Sequence, residues 1–137
     1  MTVTLSQSAS ASFPDRGSVG LRVTMDSGSA GRYLAHDLGK DQTLLYARLM
    51  LRIGTATGGG VQIVGAQTAS DTPAWTLELH PDTREVIVTI GETANITASL
   101  PDNLAWHCLE VKLDTAVGET TLWINGLAAG SATGNFS

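Results

Sequence analysis

Residues 106–126 read WHCLEVKLDTAVGETTLWING, and the alternation in that stretch decides the fold. Leu109, Val111 and Leu113 fall on one side of an extended chain and Glu110 and Lys112 on the other, the period of two that a half-buried strand requires. Thr115-Ala-Val-Gly118 interrupts the pattern with turn chemistry, Leu122 and Ile124 resume it around Trp123, and Asn125-Gly126 is a dipeptide typical of tight hairpin turns. Two antiparallel strands joined by a short loop follow.

The same reasoning extends outward. Trp75, Leu77 and Leu79 alternate with Thr76, Glu78 and His80, and Pro81-Asp82-Thr83 turns into Arg84 to Ile90, where Val86, Val88 and Ile90 share a face. Gly91-Glu92 leads to a strand over Asn95 to Leu100, and Val61 to Ala66 supplies one before the loop at Thr68 to Pro73. Strands this closely spaced pair with their sequence neighbours, so a meander is predicted. From Gln42 to Ile53, Leu45, Ala47, Leu49, Leu51 and Ile53 oppose Leu44, Tyr46, Arg48, Met50 and Arg52. An amphipathic helix competes for this segment, but the arginines keep to the alternate set and Gly54 to Gly60 ends the run, which favours a strand. Shorter alternating segments stand at Val3 and Leu5, at Leu21 to Met25 and around Arg32 to Leu38.

Composition sets the class. A chain of 137 residues, 42% hydrophobic and 15% charged, suits one domain spanning 1–137 with a buried core. The formal net charge of -5 repels a phosphate backbone, so nucleic acid is not an expected partner. Cys108 has no second cysteine with which to form an intrachain disulfide. No apolar run has the length to span a bilayer, and Met1-Thr-Val-Thr-Leu-Ser lacks the basic and apolar regions of a signal peptide.

A Trp106-His107 pair opening a strand, a short hairpin containing Gly118, and Leu122-Trp-Ile-Asn-Gly126 together resemble the concanavalin A-like lectin/glucanase superfamily, in particular its laminin-G-like branch. The resemblance implies an all-β, antiparallel jelly-roll β-sandwich, and it implies a binding or structural module, extracellular or associated with a surface or particle. In larger members of that family, further strands follow the Asn-Gly turn. Here Leu127 to Ser137 offers only small residues and Phe136, so a second polypeptide or a neighbouring protomer is expected to complete a sheet edge. The alternative is a carbohydrate-binding domain of a larger secreted protein. The phase of the strand opening at Trp106 sets His107 with Leu109 and Trp106 on the opposite side; a bulge at His107-Cys108, which returns the indole to the core, is favoured over an indole that covers the far face.

Chemistry-bearing residues are sparse. Glucanases of the superfamily place carboxylates at alternate strand positions, and no such pair occurs here, since Glu78 and Glu110 stand alone on their strands. No catalytic residue is assigned and no enzyme is expected. His36, His80 and His107 lack metal-ligand spacing. A calcium ion at a sheet rim, as some relatives hold, is the less favoured reading, because Asp71, Asp82, Asp102 and Asp114 are single turn residues without a cluster of oxygen ligands. Cys108 reads as a buried structural thiol and Trp75 as core, with Trp123 either half-exposed or a cover for the second sheet. If the strands assemble as the resemblance implies, Tyr46, Arg48, Arg52, Gln62, Glu78 and His80 share the outer side of one sheet, a candidate groove for a saccharide or peptide that competes with an ordinary solvated face.

Overall fold

The computed structural model describes residues 3–8, 20–25, 43–53, 59–67, 73–91, 94–101 and 105–134. Chain contacts define two compact units, Met1–Lys40 and Asp41–Ser137. In the first, β1 (Val3–Ser8) and β2 (Gly20–Met25) pair antiparallel, Val3 opposite Met25. The segment around Arg32 to Leu38 lies outside the described residues.

The second unit is a β-sandwich of two antiparallel four-stranded sheets. One contains β4 (Val61–Gln67), β5 (Pro73–His80), β6 (Glu85–Ile90) and β7 (Ala94–Ser99) in sequence order, the predicted meander. The other has the order β10-β9-β8-β3 and is built from β3 (Leu44–Leu51), β8 (His107–Asp114), β9 (Glu119–Ile124) and β10 (Leu127–Thr133). Between them lies a core of Trp75, Leu77 and Leu79 from β5, Val86, Val88 and Ile90 from β6, Leu109, Val111 and Leu113 from β8, and Leu122 and Ile124 from β9, joined by Ile53, Ile96 and Leu100. The alternation of the sequence is thus the alternation of burial, and at about 25 cal/mol per Å² of apolar area this layer is the main source of stability. Among the described residues there is no helix, and Gln42 to Ile53 contains a strand as its alternation requires.

Two expectations need correction. Leu127 to Thr133 is a strand rather than an ending: Asn125 and Gly126, with φ of 54° and 79°, form a two-residue turn of the I′ kind, and Leu127 pairs with Ile124. Its small residues are what the position demands, because β10 approaches β7 so closely that a Cβ added at Gly130 would lie 2.6 Å from Ile96 Cγ2. Secondly, β8 pairs without a register shift against both β3 and β9, so no bulge exists at His107-Cys108. His107 is buried, 1% exposed, while Trp106 precedes the strand half-buried, with the Arg52 guanidinium 5.4 Å from its ring centroid. A cation–π contact therefore covers the indole where core burial was expected.

Candidate functional site

The outer face of the β10-β9-β8-β3 sheet brings together aromatic, cationic, anionic and thiol side chains. Cross-strand register fixes its rows: Tyr46, Lys112 and Thr121 form one, and Arg48, Glu110, Trp123 and Ala128 the next. Met50 opposite Cys108 continues toward Arg52 and Trp106. Tyr46 is 67% exposed, and Trp123 is half-buried among its neighbours. Arg48 Nε donates to Cys108 Sγ at 3.3 Å and lies 3.4 Å from Glu110 Oε1. The Cys108 sulfur first, and then Glu110, push the guanidinium pKa further up, so Arg48 is a fixed cation on this face. Being solvent-exposed, the ion pair orders the face more than it stabilises the fold. Cys108 is half-buried on the outer side, because His107, one residue earlier, takes the core side.

Of the six residues predicted to share one face, Tyr46, Arg48 and Arg52 belong to this sheet and its margin. Gln62, Glu78 and His80 belong to the other sheet, where Gln62 pairs with Glu78 and His80 Nε2 lies 3.7 Å from Glu78 Oε2. The six are thus divided between the outer faces of two sheets on opposite sides of the core. The physical reason is that β3 precedes β4 in sequence but pairs with β8, so the chain crosses between sheets after Leu51. Glu110, Trp123 and Lys112 are the residues that join Tyr46 and Arg48. Their signal in the sequence was register with β3, which periodicity does not supply. Glu78 and Glu110 lie on different sheets, and among the described residues no group of three or more His, Cys, Asp or Glu side chains is placed to hold a metal ion. Asp71 and Asp102 fall outside the described residues.

The sheet edges form the second candidate. In β7, Leu100 N donates to Arg84 O at 2.8 Å, and the same phase carries Ala98 and Ile96 to their β6 partners. Asn95, Thr97 and Ser99 therefore turn their N–H and C=O groups away from β6, and all three side chains are exposed. Natural edges are blunted by charge, proline or bulges. Within this unit β3 carries Arg48, the β4–β5 register shifts twice, and β10 has a shift between Ala128 and Gly130. The residues of β7, ANITAS, have no charge and no proline, and β7 pairs with β6 without a shift.

A polar cluster at the β9–β10 turn joins the buried His107 to the exposed Asn125. Asn125 Oδ1 accepts from Cys108 N at 2.9 Å, Asn125 N donates to Cys108 O at 2.8 Å, and Asn125 Nδ2 lies 3.2 Å from His107 Nδ1. Burial first, and then the nearby Arg84 cation, push the His107 pKa below its ordinary value. Comparison with protein-family models, with curated proteins and with solved structures finds no match to this chain.

Proposed function

We propose that the chain is a non-catalytic binding or structural module, a jelly-roll sandwich of the concanavalin A-like kind, that joins a partner polypeptide or a second protomer through the edge of β7. The observation that carries this reading is the row of outward N–H and C=O groups on Asn95, Thr97 and Ser99, on a strand with none of the devices that discourage pairing. An added strand would satisfy those groups and extend the sheet, the mode by which sheet edges take up peptides.

Thr97 is the decisive position. Its N–H faces away from β6, so Thr97→Pro removes no hydrogen bond within the sandwich while denying one to an incoming strand. In protein recovered from its native source, hydrogen exchange should find the Asn95, Thr97 and Ser99 amides protected. Thr97→Pro should release the partner or protomer in light scattering, with the circular dichroism of the sheets retained. Rapid exchange at all three amides in the native-source protein would overturn this reading.

A second reading, a carbohydrate-binding domain, draws on a specific arrangement: Tyr46 and Trp123 flank the Arg48–Glu110 pair on one outer face, with aromatic surface and hydrogen-bonding groups side by side. Retention on a polysaccharide affinity gel, lost in both Tyr46→Ala and Trp123→Ala, is its expected result. Absence of retention on a broad glycan array removes it and leaves the edge reading in place.

A further inference from the structure

We propose that His107 and Asn125 form an acid-sensitive latch that holds the β9–β10 turn against the start of β8. The geometry leaves the amide no choice of orientation. Its Oδ1 is committed to the Cys108 N–H, so Nδ2 faces His107 Nδ1 and must donate to it. Nδ1 is then an acceptor, and the ring proton of the neutral imidazole resides on Nε2, which is buried without a hydrogen-bond partner. The same asparagine sits in the left-handed region and donates its own backbone N–H to Cys108 O, so the ring, the side-chain amide and the turn are one mechanical unit.

A proton added at Nδ1 sets two donors face to face. Turning the amide over relieves that contact only by withdrawing Oδ1 from the Cys108 N–H and presenting a donor there instead. Among the described residues, no carboxylate acts on the ring to compensate the added charge. Across the core, Arg84 in the β5–β6 turn is itself a cation that disfavours imidazolium. On β8, Cys108, Glu110 and Lys112 belong to the outer face, and on β3 the register partner of His107 is Leu51, after which Arg52 lies over Trp106. At the β9–β10 turn the ring meets Asn125.

The direction of the pH effect follows. The folded ring has a pKa below its ordinary value of 6.5, so its contribution is fully present above that value. It falls away as the pH drops through 6.5 and is lost once the pH passes below the lowered folded value. Because the turn carries β10, and Gly130 of β10 seats on Ile96, acid loosens the strand that covers this side of the sandwich. This latch stands independently of what binds the β7 edge.

The test uses the whole chain and the Cys108 amide, whose bond to Asn125 Oδ1 reports the latch directly. In the wild type, protection of that amide should fall by up to about tenfold per pH unit below about pH 6.5. In Asn125→Asp, the carboxylate still accepts from Cys108 N–H and now also accepts from a protonated Nδ1. The acid-dependent loss should disappear there, and the His107 pKa should rise. Unchanged Cys108 protection between about pH 8 and pH 4.5 in the wild type, or the same acid slope in Asn125→Asp, would overturn the proposal. If the variant does not fold, nitrogen-15 shifts of the wild-type ring decide: an Nε2–H tautomer titrating below the ordinary histidine range supports the latch, and an Nδ1–H tautomer refutes it.

Discussion

Leu109→Ala is expected to destabilise the Asp41–Ser137 unit by about 3 kcal/mol, lowering its melting temperature by roughly 10–20 °C. Leu109 is 0% exposed on β8, between Leu49 of β3 and Ile124 of β9 in register, and its side chain enters the layer shared with the facing sheet. Truncation removes three carbons from a site enclosed by strands on both sides and by the opposite sheet, so collapse around the cavity is limited. Tyr46→Ala is the matched control. It lies on the same sheet but faces outward at 67% exposure, and its removal should change stability by no more than about 0.5 kcal/mol. Equal losses in chemical denaturation for the two variants would contradict a packed sandwich.

The contrast between Leu109 and Tyr46 also explains what was legible in the sequence. Alternation reports which side of a strand meets water, and there it was informative: Trp75, Leu77, Val86, Val88, Val111 and Leu122 are all buried where period two places them. It is silent on which strand lies beside which. The meander β4 to β7 was readable because its pairs are sequence neighbours. The pairing of β3 with β8 spans more than half of the unit, and without it Arg48 could not be set beside Glu110 and Trp123, nor Gln62 apart from Tyr46. Hydrophobicity failed at β10, because a strand seated against the opposite sheet is selected for small side chains and loses its apolar signature. Asn125-Gly126 did announce a hairpin, and the strand after it was hidden by Ala128, Ala129, Gly130 and Ala132. Trp106 shows another limit. The tendency of indoles to be buried predicts a bulge there, whereas Arg52 supplies a cation–π cover at the strand's entrance.

The seat of β10 yields the second large effect, and its signature is a change of sign. Gly130→Ala should destabilise the sandwich by about 1–3 kcal/mol, since the new methyl would lie 2.6 Å from Ile96 Cγ2 and Ile96 is a β-branched core residue, 5% exposed, with little freedom to yield. Ile96→Ala alone should cost about 2–5 kcal/mol by leaving a cavity beneath β10. Combined, the two should cost less than Ile96→Ala by itself. The alanine at 130 then enters space that Ile96 vacated. The φ of Gly130 is not among the positive values, so alanine adopts the backbone without strain and also restricts the unfolded chain, a gain of about 0.4–1 kcal/mol. The coupling energy of the cycle should therefore exceed about 1 kcal/mol, favourable to the double variant. Simple additivity in urea denaturation would mean that β10 does not rest on β7 at this point. In that case the two sheets would not close together along this side, and the small residues of β10 would need another explanation.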